Sequence, residues 1–197
     1  MERFVRHYRL LPNFVTGLRL IAVPVAVFLL LDYRLAMAFW VIVAAGLSDG
    51  LDGYLAKRMD AVTRLGTYLD PVADKALLMA VFICLVQLGL LPGFLVCLVI
   101  MRDLLIMGGV MLSKLTDLEL MVVPTLVSKL NTFLQIVLGM WVLGQAALGY
   151  NVSFVTSGLI YVTTVTTLVS GTIYLARWTT SYGVEAKQDY AKATRND

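Results

Sequence analysis

Long apolar runs separated by brief polar punctuation dominate the chain. Six stretches, at about 12–31, 36–57, 67–91, 93–113, 125–148 and 152–176, are mainly apolar. Each meets the roughly 17–25 residues that a helix needs to cross a bilayer. The breaks carry turn chemistry: Asp32-Tyr33-Arg34, the segment 59–65, Leu91-Pro92-Gly93, the segment 113–123 and Gly149-Tyr150-Asn151. Pro24 falls inside the first run, where a kink is tolerated between packed membrane helices. Pro71 sits where a third helix could start, which would be ordinary N-terminal punctuation. The Thr- and Ser-rich sixth run suits close helix–helix contact in lipid. The pattern predicts an all-α polytopic membrane protein with six transmembrane helices in a single domain over residues 1–197. Residues 179–197 are expected to form a polar, loosely ordered cytoplasmic tail.

Composition removes the soluble alternatives. Of 197 residues, 59% are hydrophobic and 15% charged, with a mean hydropathy of +0.83, whereas a soluble domain carries about 45–50% apolar and about 25% charged residues. Cys84, Cys97 and the single His7 support neither a disulfide framework nor a zinc site. The net charge of +3 matters less than its placement. Six spans put eleven basic residues (Arg3, Arg6, Arg9, Lys57, Arg58, Arg64, Lys114, Arg177, Lys187, Lys192, Arg195) on one side, and Arg34 alone on the other. By the positive-inside rule both termini are then cytoplasmic.

Nine ionisable residues lie within or at the edges of the spans: Arg19, Asp49, Asp52, Asp70, Asp74, Lys75, Arg102, Asp103 and Lys129. Each costs about 2.5–3.5 kcal/mol or more at a helix centre, so each needs a reason. Asp49 and Asp52 fall in the cytoplasmic third of the second span, and Asp70 and Asp74 at the cytoplasmic start of the third. Asp49, Asp52, Gly53 and Ala56 share one helical face by spacing, as do Gly66, Asp70 and Asp74. Four like charges at one depth repel strongly in a low dielectric, and a bound cation resolves the conflict. Oxygen donors without His or Cys favour a hard metal such as Mg²⁺ or Mn²⁺, and four carboxylates on two facing helices suit a two-metal site. Gly53, Ala56 and Gly66 leave a groove beside them, suited to a phosphate ester carrying a nucleotide and acyl chains. Isolated Asp-Gly pairs can mark turns, and small residues at helical spacing are commonly plain helix contacts. Four aspartates in register at one membrane depth are poorly explained as solvated loop charge.

The run from Asp49 through Asp52, Gly53, Ala56 and Lys57 to Gly66, Asp70 and Asp74 resembles the signature of the CDP-alcohol phosphotransferases, D-x2-D-G-x2-A-R-x8-G-x3-D-x3-D. It matches at every fixed position except Lys57, where the family usually has Arg. The resemblance implies that Asp49, Asp52, Asp70 and Asp74 hold two divalent ions, with Asp74 also the general base. It implies that Gly53, Ala56 and Gly66 make room for the CMP moiety of CDP-diacylglycerol, with Lys57 near the donor phosphates. Thr63, Asn13 and Thr16 resemble positions lining the nucleotide pocket, and a homodimer in a bacterial inner (cell) membrane is implied. Lys in place of Arg keeps a charge but loses the bidentate fork.

Arg19, Arg102 and Lys129 together would form a cationic pocket for a phosphate-bearing acceptor, although pairing with Asp103 or snorkelling to the surface is an equal account of each. The run from Pro124 through Ser128-Lys129 and Asn131-Thr132 to Gln135 resembles the corresponding stretch of CMP-forming cardiolipin synthases, as does Arg102-Asp103. This favours phosphatidylglycerol as acceptor, with glycerol 3-phosphate the alternative, since phosphatidylglycerophosphate synthases resemble the chain almost as well. No nucleic-acid partner is expected. A cation-coupled transporter is the non-enzyme alternative. It is disfavoured because the acids cluster at one end of the bilayer and no inverted repeat relates the halves.

Overall fold

The computed structural model describes the backbone of residues 11–59, 64–115 and 125–193, and the side chains of residues 21–48, 75–109 and 125–178. Among the described residues the fold is all-helical. Six helices follow in order: α1 (Leu11–Leu31), α2 (Leu35–Met59), α3 (Arg64–Gln87), α4 (Gly93–Leu115), α5 (Leu126–Leu148) and α6 (Ser153–Ala193).

Helix ends follow local chemistry. Gly89, at φ 71°, closes α3: its N–H donates to the Val86 carbonyl (2.9 Å) and the Leu90 N–H to the Leu85 carbonyl (2.8 Å). Paired bonds of this kind satisfy the last free carbonyls of a helix. The end of α1 uses the same device with Tyr33 at φ 58°, and Arg34 pairs with Asp32 (2.7 Å) just beyond it. At the start of α5, the Thr125 hydroxyl accepts a hydrogen bond from the Ser128 N–H at 3.1 Å, the usual role of an N-cap threonine.

Two expectations need correction. Pro71 does not start the third helix, because α3 already begins at Arg64 and runs through it. A proline removes one ladder bond, but in an apolar setting the rest of the backbone has no better partner than the helix itself. The segment from residue 179 is likewise helical as far as Ala193, not loosely ordered. Hydropathy ends the apolar span, yet Glu185, Ala186, Lys187, Gln188, Ala191 and Lys192 are good helix formers. The end of the apolar run and the end of the helix are separate events here.

The chain forms two compact units. In the first, α1 packs on both α2 and α3, and the C-terminal part of α5, from Gly139, joins them. Its core includes Ala26, Leu30, Ala38, Ile42, Val81, Phe82, Leu85 and Leu143. The second contains α4, the α5 residues up to Leu138, and α6 from Phe154. Leu95, Val99 and Leu138 are buried there beside a polar cluster.

Leu126–Leu148 and Ser153–Trp178 are each long and apolar enough to cross a membrane, and only 33% and 22% of their apolar windows are buried. A core helix of a soluble protein would be mostly covered. Here Phe28, Trp40, Phe94, Phe133, Phe154 and Tyr161 are all more than half exposed, an apolar surface far more extensive than a soluble monomer presents.

Adjacent glycines of α4 differ sharply. A Cβ at Gly109 would collide with the Trp178 indole of α6, whereas one at Gly108 would meet nothing. Gly109→Ala is therefore expected to lower stability by about 1–3 kcal/mol through overpacking. Gly108→Ala is expected to be neutral, or stabilising by up to about 1 kcal/mol. Thermal unfolding of the two variants in detergent checks the opposite signs.

Candidate active site

The signature lies on two consecutive helices of the first unit. Asp49, Asp52, Gly53, Ala56 and Lys57 fall on the continuous α2, and Gly66, Asp70 and Asp74 on the continuous α3. Helical backbone throughout both stretches gives the i, i+3, i+4, i+7 and i, i+4, i+8 spacings their structural meaning: each set occupies one side of its helix. Only residues 60–63 separate the two helices, so they follow one another across a short connection. Helix α1, which packs on both, carries Asn13, Thr16 and Arg19. The side chains of all these residues lie outside the described ones, and so does Thr63. As a donor set the four aspartates offer carboxylate oxygen only, which fits a hard divalent cation and excludes a thiolate or imidazole site.

The second unit carries the described chemistry. Arg102 of α4 is 4% exposed and Asp103 1%, and they pair at 2.5 Å. The Arg102 Nε donates to the Ser170 hydroxyl of α6 at 3.1 Å, and Nη2 donates to the same oxygen at 2.9 Å. Nη2 also reaches the Ser128 carbonyl of α5 at 3.3 Å and the Ser128 hydroxyl. One guanidinium thus joins three helices.

A polar seam continues from this point between α5 and α6. Fully buried Asn131 accepts hydrogen bonds from Thr166 and Thr167, each at 2.9 Å. In antiparallel order Ser128 stands against Ser170 and Asn131 against Thr167, a register that brings Gln135 level with Thr163. Gln135 and Thr163 are fully buried as well, and their side-chain polar atoms have no hydrogen-bond partner among the described residues. Lys129, adjacent to Ser128 in the first turn of α5, is exposed.

The cationic residues singled out from the sequence are therefore differently placed. Arg102 and Lys129 are brought to neighbouring turns of one unit, Arg102 inside it and Lys129 at its surface. Ser170, Thr167 and Thr163 were not singled out. Their spacing of four and three residues on α6, mirrored by Ser128, Asn131 and Gln135 on α5, is the signal that marks them.

Comparison with known proteins agrees with the signature. A family model described as CDP-alcohol phosphatidyltransferase matches residues 9–169. The chain belongs to the CDP-alcohol phosphatidyltransferase family. It is 35% identical, over 83% of its length, to a cardiolipin synthase (CMP-forming)/mitochondrial hydrolase fusion protein of Schizosaccharomyces pombe, of which it covers 30%. It is 32% identical, over 95% of its length, to the chloroplastic CDP-diacylglycerol–glycerol-3-phosphate 3-phosphatidyltransferase 1 of Oryza sativa subsp. japonica, covering 59% of it. The Bacillus subtilis CDP-diacylglycerol–glycerol-3-phosphate 3-phosphatidyltransferase is 32% identical over 64% of this chain and 72% of that protein. The chain thus spans less than two thirds of the first two relatives. Its place among enzymes of phospholipid biosynthesis rests on the family match and on these relatives together.

Proposed function

We propose that the chain transfers a phosphatidyl group from CDP-diacylglycerol to an alcohol acceptor, releasing CMP, as a homodimer in a bacterial cell membrane. The observation that carries this reading is the complete aspartate signature on two continuous helices inside the family match of residues 9–169. That match runs through both compact units, which supports a single functional domain. The Bacillus subtilis relative, most of whose length the chain covers, supports the bacterial setting.

Asp49, Asp52, Asp70 and Asp74 would hold two Mg²⁺ or Mn²⁺ ions. When bound, these supply charge neutralisation at the donor pyrophosphate and at the departing CMP. Gly53, Ala56 and Gly66 leave space for the CMP moiety, with Asn13, Thr16 and Thr63 alongside it. Lys57 offers a cation to the donor phosphates. Asp74 accepts the acceptor hydroxyl proton as that oxygen attacks the phosphorus bearing diacylglycerol. The P–O bond to CMP breaks, and CMP leaves with the electron pair. No covalent enzyme intermediate is required. Arg19 and Lys129 would supply positive charge for an acceptor phosphate, with Arg102 grouped with them in the acceptor pocket.

The preferred acceptor is phosphatidylglycerol, giving cardiolipin, on the strength of the Ser128-Lys129-Leu130-Asn131-Thr132 run and the cardiolipin synthase relative. Glycerol 3-phosphate is the second reading, favoured by the rice and Bacillus relatives. Purified protein given labelled CDP-diacylglycerol, Mn²⁺ and each acceptor separately is expected to form cardiolipin and CMP. Phosphatidylglycerophosphate as the sole product would overturn the acceptor assignment, and absence of CMP release with either would overturn the transfer reaction. Asp74→Asn is expected to abolish turnover in folded protein, by at least the roughly 10²–10⁴-fold that a general base contributes.

Six membrane spans with both termini cytoplasmic complete the proposal, supported by the exposed apolar helix surfaces and by the segregation of basic residues. Cysteine-accessibility labelling is expected to place positions 34 and 190 on opposite sides of the membrane. Labelling from the same side would refute this topology.

A further inference from the structure

We propose that Arg102 is a positioning residue: it locks the first turn of α5, and with it Lys129, for the acceptor phosphate, without touching that phosphate itself. This rests on the acceptor reading above and assigns separate parts to two cations grouped there.

A guanidinium offers five N–H donors on three nitrogens and no acceptor. All three Arg102 nitrogens are engaged. Nε binds Ser170, Nη1 binds Asp103, and Nη2 binds Ser170 together with the carbonyl and hydroxyl of Ser128. The charge is already balanced by Asp103, buried beside it. An acceptor phosphate reaching the remaining Nη1 N–H of Arg102 would settle within a few ångströms of the Asp103 carboxylate, which is bound to the same nitrogen. Two anions at that range in an apolar interior repel strongly.

Ser128, by contrast, is held at every polar atom. Its N–H donates to Thr125 (3.1 Å), its carbonyl accepts from Thr132 (3.2 Å) and Arg102 (3.3 Å), and its hydroxyl accepts from Arg102. One turn on, the Asn131 bonds to Thr166 and Thr167 fasten α5 to α6. Lys129 therefore leaves a fixed backbone with an exposed side chain. Lysine is a point charge on a flexible stem, so a rigid origin is the main control the protein has over its ammonium.

The Ser170 hydroxyl separates this account from direct phosphate binding by the sign of the effect. Ser170→Ala removes the acceptor of two Arg102 bonds and leaves the Arg102–Asp103 charge pair in place. If Arg102 positions Lys129, the acceptor KM rises about three- to tenfold, the range set by one or two net hydrogen bonds, while the donor KM stays within about twofold. If Arg102 binds phosphate directly, freeing its donors leaves the acceptor KM unchanged or lowers it. Ser128→Ala, which removes the hydroxyl partner on α5, is expected to act like Ser170→Ala and covers the case in which the latter folds poorly.

The test uses the full chain in nanodiscs with CDP-diacylglycerol and Mn²⁺, with phosphatidylglycerol in one arm and glycerol 3-phosphate in another. Lys129→Ala is expected to raise the acceptor KM and to abolish the further effect of Ser170→Ala in the double variant. An unchanged or lowered KM in Ser170→Ala and Ser128→Ala, with Lys129→Ala still raising it, overturns the proposal and leaves the acceptor pocket standing. Additive effects in the double variant also overturn it. An unchanged KM in Lys129→Ala overturns the acceptor pocket and the proposal together.

Discussion

Ionised groups among apolar helices must be neutralised where they sit, and most of what distinguishes this protein follows from that constraint. Water is absent from a hydrocarbon core, and each uncompensated charge there costs several kcal/mol. The second unit meets the constraint internally: Arg102 and Asp103 neutralise one another and draw hydroxyls from two further helices around them. The signature of the first unit has four aspartates on two consecutive helices, interleaved in sequence with Lys57, Arg58, Arg64 and Lys75. A bound cation is the solution proposed for the aspartates, and it is the one that would make chemistry possible.

The same logic explains which features were legible in the sequence. Five of the six apolar runs lie within a few residues of the helices at both ends, because apolar length and Gly- or Pro-bearing breaks decide both hydropathy and helix termination. The third run overshot at Leu88–Leu91, where Gly89 adopts a left-handed conformation that hydropathy does not register. The sixth stopped short at 176 because apolar character ends there while helix propensity continues to Ala193. Pro71 can be read as a start signal, but it lies inside α3, within the 67–91 run, and this helix has already formed when it arrives.

Site legibility divides along a similar line. A fixed-spacing motif on two consecutive helices can be read in one dimension, and the family it marks was. The seam between α5 and α6 cannot be read that way, because Ser128 and Ser170 are 42 residues apart and become partners only through antiparallel register and through Arg102. Thr163, Thr167 and Ser170 look like ordinary small residues of a membrane helix until Asn131 and Arg102 are placed opposite them.

The proposed donor chemistry and acceptor geometry thus fall to different parts of the chain and would rest on different physics. Carboxylate repulsion relieved by metal would govern the first, and a hydrogen-bonded clamp the second. The central claim is that the four aspartates are a metal site, and its most direct test is Mn²⁺ binding to the full chain in nanodiscs, followed by electron paramagnetic resonance. The account predicts two ions bound per chain, with fewer bound by Asp70→Asn. Absence of Mn²⁺ binding, or undiminished CMP release in excess chelator, would contradict it.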